Sequence, residues 1–275
     1  MKKAFVSSID EVVPDDSLDF FNEFGYVVYT DVLGKNDCDQ IKAILAALKN
    51  FMESSGALFT HVDDYLNLRI WSLLSHTRAL DYIITSKFLN SIMSKIFQRD
   101  TSHRLYTLSS FQGVILQPGA KQQKLHIDTP CPEPIPVIPL KANSIWCLDD
   151  WTAENGATEI VPKTHKSGKK PMGNLSEDAS IIKLIAPQGS VIVTDGALWH
   201  RGGANRSRDC RYSVFASFAA SWLKYASVED DIVRRFISPD MLDGRSEELL
   251  QIIGYYDGIR SLDPHMRARR KEIKL

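Results

Sequence analysis

The chain contains no apolar run approaching the roughly 18 residues that a membrane-spanning helix needs. It also lacks any pair of cysteines spaced CxxC, and it has almost no net charge. Lys and Arg number 33 against 34 Asp and Glu, a formal charge of -1. Such a balance gives no global field that would draw the molecule to nucleic acid or to an anionic membrane. Met1-Lys2-Lys3 runs into Ser7, Ser8, Asp10 and Glu11 where an export signal needs apolar residues. A cytoplasmic location is therefore expected, with Cys38, Cys131, Cys147 and Cys210 as reduced thiols. No internal repeat is visible. What remains is globular in proportion: 275 residues, 44% hydrophobic and 24% charged, enough to bury a sizeable core. β-Sandwiches and barrels of this size fold as one unit. One domain over 1–275 is expected, with a helical part to about 104, a β core over about 105–223, and helices with a basic tail over 224–275.

In the first part, Asp16 or Ser17 is positioned to cap a helix through Phe20, Phe21 and Phe24, and Gly25 suits its end. Tyr26 to Val32 has the β-branched and aromatic content of a strand. Ile41, Ile44, Leu45, Leu48 and Phe51 form a helical stripe, capped by Asn36 or Asp37, and Leu80 to Ile96 forms another. Both stripes read as core-facing packing. Leu58 to Leu74 has no period and reads as a loop over a pocket.

From Leu105 the pattern changes to short strands punctuated by turns: Leu105–Leu116, Lys124–Asp128, Asn143–Asp149, Thr158–Val161, Ser180–Ile185, Ser190–Thr194 and Arg211–Phe218. Many short strands separated by turn signals indicate a sandwich or a closed barrel. The proline-rich stretch from Thr129 to Pro139 resists helix and interior strand alike and reads as a stiff surface loop. Helices return at Val228–Ile237 and Glu247–Ile253, and the basic residues beyond Tyr255 read as a solvated tail.

Chemistry concentrates in two places. In an extended Lys124–Asp128, side chains alternate faces, so His126 and Asp128 point together while Ile127 points away. Leu198-Trp199-His200 brings a second histidine. Two histidines and one carboxylate are the protein ligands of a non-haem iron site with coordination positions left open. A bare HxD recurs by chance, so the later segment adds the weight. There a strand, a turn at Asp195-Gly196 and His200 are followed by a strand opening Arg211-Tyr212-Ser213, which puts His200 and Arg211 on neighbouring strands. Arginine's planar fork grips a carboxylate through two parallel hydrogen bonds, suiting the far end of a dicarboxylate co-substrate. Arg206 and Arg208 compete for that role but fall in the polar loop 204–209, whereas Arg211, Ser213 and Phe215 share a strand face. His165 lies in a turn beside lysines and reads as structural, while His61, His76, His103 and His265 lack partners at ligand spacing and read as surface or packing residues.

These segments resemble the phytanoyl-CoA dioxygenase branch of the iron(II)/2-oxoglutarate-dependent oxygenases over roughly Leu105 to Leu223. The resemblance rests on Gln117-Pro118-Gly119 leading to Gln123-Lys124-Leu125-His126-Ile127-Asp128. It rests also on Trp146-Cys147-Leu148-Asp149-Asp150 with Glu154-Asn155-Gly156-Ala157-Thr158, and on Val161-Pro162-Lys163-Thr164-His165-Lys166. The chain departs from the family at Lys163-Thr164, where Gly-Ser is commoner, in a turn outside the metal site.

The resemblance implies a mainly β fold, a double-stranded β-helix (a cupin-like jelly roll) with flanking α-helices. It implies that His126, Asp128 and His200 hold Fe(II), that Arg211 holds the C5 carboxylate of 2-oxoglutarate, and that O2 is the oxidant. Gln123 and Thr158 match positions that contact the co-substrate in relatives, and Ser213 is expected beside it. An aspartate at 128 implies hydroxylation or another oxidation, since related halogenating enzymes carry a small residue there. The expected substrate is a small organic molecule of secondary metabolism, with succinate and CO2 released. An acyl-CoA comes second because no basic patch announces a pyrophosphate. A cupin-like metal binder without oxygenase activity is the rival from another class. A zinc hydrolase is disfavoured because no HExxH glutamate accompanies the histidines. The segments Thr129–Pro139 and Leu58–Trp71 are candidate lids, and Trp146, Tyr106 and Trp199 candidate walls. Monomer and homodimer are equally open.

Overall fold

Residues 106–116 contain no charged side chain, and in the computed structural model they form one long strand, β5 (Tyr106–Leu116), with every residue buried. The structure describes residues 4–56, 59–61, 64–97, 105–129, 131–172, 180–223 and 237–254. Around β5 lie β1 (Ala4–Val6), β2 (Tyr26–Thr30), β3 (Phe59–His61), β4 (Asp64–Ile70), β6 (Lys141–Cys147), β9 (Val191–Asp195) and β11 (Arg211–Ala220). They make an eight-stranded sheet in the order β1-β2-β9-β6-β11-β5-β4-β3. A smaller sheet of three strands runs β10-β7-β8, from β7 (Glu159–Val161), β8 (Ile182–Lys183) and β10 (Trp199–Arg201). Apart from the parallel β1–β2 pair, neighbours are antiparallel.

Both faces of the large sheet are covered, which is why β5 and β6 read as continuous buried runs rather than alternating ones. On the outer face, Trp146, Ala142, Val214 and Phe218 pack against α1 (Asp15–Phe24), α2 (Lys35–Ser54), α3 (Asp81–Ile84) and α4 (Lys87–Phe97). On the inner face, Ile145, Cys147, Tyr26 and Ile192 meet Ile160, Leu184 and Leu198 from the smaller sheet's side. This second cluster joins the two sheets. Two short helices, α5 (Pro239–Leu242) and α6 (Glu247–Ile252), complete the described chain. The four cysteines are free thiols, and no described helix is long and apolar enough to cross a membrane.

Several expectations need correction. The segment from Leu58 to Leu74 is no loop: β3 and β4 form a hairpin that extends the large sheet, β4 pairing with β5 from Asn67↔Leu116 to Ile70↔Gly113. The stripe from Leu80 to Ile96 is two helices rather than one. Ser86 ends the first by donating to Ile83 O and starts the second by accepting from Leu89 N. Lys124–Asp128 is not a strand, and only His126 makes a β-bridge there. Helix α1 begins at Asp15 behind Pro14 without a side-chain cap. Ser17 instead bonds Pro14 O and the Tyr29 hydroxyl. At α2 the N-cap is Gly34, with Asp37 accepting its N–H. Gly25 does end α1, in the left-handed region at φ 82, where its N–H returns to Phe21 O. The expected helix Val228–Ile237, save Ile237, and the basic tail lie outside the described residues.

Candidate metal and co-substrate site

His126 and His200 exchange both backbone hydrogen bonds, His126 N to His200 O at 2.9 Å and His200 N to His126 O at 3.0 Å. Residues paired this way project their side chains from the same face of the ladder, and the two imidazole rings stand 4.4 Å apart between centroids. This single bridge joins the two imidazoles, whereas the strand alternation expected to align His126 with Asp128 is absent. Asp128 is fixed separately, its N–H and that of Thr129 both donating to Gly196 O. Each ring is oriented from behind: His126 Nδ1 donates to Lys124 O at 2.8 Å and His200 Nδ1 to Leu198 O at 2.9 Å. That bond selects the tautomer whose Nε2 lone pair is available to a metal. The Nε2 atoms face the two carboxylate oxygens of Asp128, His126 at 3.8 Å and His200 at 3.3 Å. One ligand atom from each of the three side chains lies within 4.8 Å of the others.

Sequence reading missed Asn143, on β6, whose Nδ2 donates to Asp128 Oδ2 at 2.7 Å and orients the carboxylate. A polar residue inside a strand carries no signal of its own until the register shows what it faces. Removal from water would raise the Asp128 pKa, but His200 and His126 outweigh it and hold the carboxyl well below its usual range. For His200, burial favours the neutral ring, Asp128 outweighs it in turn, and its pKa is raised. Two bases and a carboxylate that attract shared positive charge this strongly suit a divalent cation.

Arg211 opens β11 and is 5% exposed. Its guanidinium lies over the Trp151 ring at 3.9 Å and donates through Nη1 to Gly156 O. No carboxylate pairs with it among the described residues, and its buried Nε has no partner. Burial pushes its pKa down to about 10, which leaves it charged at neutral pH. A buried, unpaired arginine is costly, and an incoming carboxylate would relieve that cost. Gly156 supplies the carbonyl from a turn at φ 84, and a Cβ there would sit 2.5 Å from Leu116 Cδ2. Asn155 braces the turn, accepting from Thr152 N and donating to Asp150 O.

The triad and Arg211 border one cavity of about 210 Å³ that also takes in Gln123, Thr158 and Ser213. Thr158 and Ser213 are buried. Gln123 straps the chain after β10, its Oε1 accepting from Gly202 N at 2.7 Å and its N–H donating to Gly202 O. His200 and Arg211 are not on neighbouring strands as expected. β10 pairs with β7 in the small sheet and β11 with β5 and β6 in the large one, so the two residues face each other across the cavity. Arg206 and Arg208 are exposed and outside it. The walls are Trp71, Trp151, Val114, Ile145 and Phe215. Trp146 and Tyr106 belong to the outer core, and Trp199 bonds Lys169 O instead. No described residue of 129–139 lines the cavity, whereas Asn67, Arg69 and Trp71 do. His165 packs against the end of α1, its Nε2 donating to Asn22 O at 3.2 Å, and burial lowers its pKa.

A His-Asp-His cluster and a buried arginine without a carboxylate partner thus border one cavity between two largely antiparallel sheets, the layout of a jelly roll. The chain belongs to the phytanoyl-CoA dioxygenase (PhyH) family, whose model matches residues 21–213; the family is one of iron(II)/2-oxoglutarate-dependent oxygenases. Among curated relatives, "Dioxygenase af480" of Aspergillus fumigatus is 34% identical over 120 residues, covering 42% of this chain and 38% of that protein. "Dioxygenase andF" of Emericella variicolor is 28% identical over 205 residues, covering 72% of this chain and 66% of that protein. The chain therefore matches less than two thirds of either relative's length. Of solved structures, HygX from Streptomyces hygroscopicus with nickel, 2-oxoglutarate and hygromycin B bound aligns with a TM-score of 0.63 at 13% identity. That alignment covers 77% of this chain and 89% of HygX, and it speaks for the fold alone.

Proposed function

We propose that the chain is a 2-oxoglutarate-dependent non-haem iron dioxygenase that hydroxylates an unactivated C–H bond of a small organic molecule in secondary metabolism. The observation that carries this reading is the placement of an open His-Asp-His triad and an unpaired buried guanidinium on facing walls of one cavity. The residues fit both groups. Two neutral imidazole nitrogens and a carboxylate oxygen suit Fe(II), and Arg211 suits a carboxylate.

In this reading His126, Asp128 and His200 hold the metal, while Lys124 O and Leu198 O keep each Nε2 deprotonated and aimed. Asn143 holds Asp128 in place through its Oδ2, leaving Oδ1 for the metal. Arg211 orients 2-oxoglutarate through its far carboxylate, backed by the Trp151 face, with Thr158 and Ser213 as hydroxyl partners. Gln123 keeps the segment after β10 closed over that end. Val114, Ile145, Phe215 and Trp71 exclude water from the reacting region. When bound, iron with 2-oxoglutarate and O2 supplies the oxidant for the C–H bond, with succinate and CO2 as co-products. The small-molecule assignment is supported by the family and by the ligand named in the HygX structure.

The test is succinate formation from 2-oxoglutarate by the full chain with Fe(II) under air. Wild type should form succinate even without a prime substrate, slowly, and His126→Ala should reduce it by at least tenfold. Equal succinate formation by wild type and by His126→Ala would overturn the proposal.

A further inference from the structure

The cavity is lined by four cationic side chains, Arg69, Lys121, Lys141 and Arg211, and by a single carboxylate, Asp128. The proposed function employs Arg211 and Asp128. Arg69 donates to Gln112 Oε1, and Lys121 is exposed at the mouth. Lys141 stands apart. It is the first residue of β6, only 4% exposed, and its ammonium makes no hydrogen bond or ion pair among the described residues. Lysine is almost never this buried unless paired, and its ammonium reaches the cavity rather than bulk solvent, so a cation there without a bonded counter-charge favours an anionic ligand. Asp128 feels its charge but lies beyond ion-pair distance, and in the proposed function its carboxylate is turned to the metal.

The surroundings of Lys141 are also short of partners. Thr129 Oγ1 and Ser217 Oγ are buried with no hydrogen bond. Thr129 Oγ1 and Lys141 Cβ lie 2.8 and 2.6 Å from where a Cβ on Gly196 would sit, so both flank that glycine. On the facing strand Ser217 pairs with Asn143 and Ala219 with Lys141, which puts the serine hydroxyl at the adjoining step. An ammonium with two idle hydroxyls is a donor set waiting for an acceptor.

That acceptor is not the co-substrate. Along β11, Arg211 pairs with Leu116 of β5 while Ala219, eight residues on, pairs with Lys141 of β6. At about 3.3 Å per residue the two backbone positions are roughly 26 Å apart, far more than a five-carbon diacid held at Arg211 can span. The triad lies between them, bonded to Asn143 on the Lys141 side. We infer that Lys141 holds a carboxylate of the substrate, so that the substrate is an organic acid whose apolar body lies along Ile145 and Phe215. One ammonium with two hydroxyls matches a monoanion with two oxygens. A phosphate, at about -1.5 to -2, calls for the guanidinium forks that this end of the cavity lacks.

The inference rests on the iron/2-oxoglutarate reading of the site, and the experiment separates the two. The full chain, loaded without oxygen with Fe(II) and saturating 2-oxoglutarate, is titrated with octanoate and 2-naphthoate and with their neutral amides. Binding is followed through the visible metal-to-keto-acid band. Wild type should bind the acids about tenfold more tightly than the amides, about 1.4 kcal/mol. Lys141→Met, which keeps the length and removes the charge, should still form the band and bind acid and amide alike. The inference is overturned if wild type binds neither or prefers neither, or if Lys141→Met keeps the preference. It is overturned equally if the variant loses the band, which would put the lysine on the keto acid. If wild type gives no band at all, the iron/2-oxoglutarate reading fails instead. The same titrations followed by tryptophan fluorescence then decide on Lys141.

Discussion

At the scale of single residues, the proposed site would set protons and metal in competition. His200 keeps its proton to a higher pH than free imidazole because Asp128 outweighs the burial that favours the neutral ring. A metal needs that ring neutral, so protons compete with it. Affinity for Fe(II), or for Ni(II) as an air-stable stand-in, should rise with pH through the neutral range and flatten once His200 is neutral; calorimetric titration at several pH values would measure this. A second buried group acts on stability. Burial pushes the Asp195 carboxyl up to about 7, against the bond it accepts from Ala197 N. The folded state then holds a proton that the unfolded chain gives up near pH 4, so stability falls as pH rises from about 4 to about 7. Asp195→Asn should therefore stabilise the fold at pH 8 by on the order of 2 kcal/mol or more, read as a higher melting temperature, and change it little at pH 4. His126, Asp128, His200 and Arg211 were legible because the chain sets them in a known order. Asn143 and Lys141 were not, because a polar residue in a strand shows its role only when register says which face it occupies and what it lacks there.

Among the elements, the turn at Gly156 has the clearest consequence. Its φ of 84 and the 2.5 Å and 2.7 Å approaches of Leu116 Cδ2 and Gly203 O leave no room for a Cβ. Gly156→Ala should cost about 1–2 kcal/mol from backbone strain alone, lowering the melting temperature. It should also raise the KM for 2-oxoglutarate several-fold, because Gly156 O positions Arg211. Steady-state kinetics with varied 2-oxoglutarate would show it. Elements were least legible where local chemistry interrupts a pattern. The stripe from Leu80 to Ile96 is continuous in hydrophobicity, yet Ser86 caps it in the middle. The strand β4 did leave a trace, since Leu66, Leu68 and Ile70 alternate with Asn67 and Arg69, whose polar groups line the cavity; the run is short, and nothing local marks its pairing with β5.

For the whole molecule, the cavity is a seam between two sheets. His200 belongs to the small sheet and Arg211 to the large one. Metal and co-substrate together would tie the sheets across that seam, so loading should stabilise the fold by mass action. At a hundredfold excess over Kd this amounts to about 2.7 kcal/mol per ligand, readable as a higher melting temperature with Ni(II) and 2-oxoglutarate than with either alone. The jelly-roll core was legible as many short strands with turns between them. Which strand joins which sheet was not, since pairing partners far apart in the chain leave no local trace. The central claim is that the triad and Arg211 serve one metal and one keto acid. Anaerobic addition of Fe(II) and then 2-oxoglutarate, watched in the visible region, tests it most directly. Wild type should develop a weak charge-transfer band, His200→Ala should develop none, and Arg211→Met should need at least tenfold more 2-oxoglutarate. A wild-type protein that stays colourless, or a His200→Ala variant that colours as wild type does, would contradict the account.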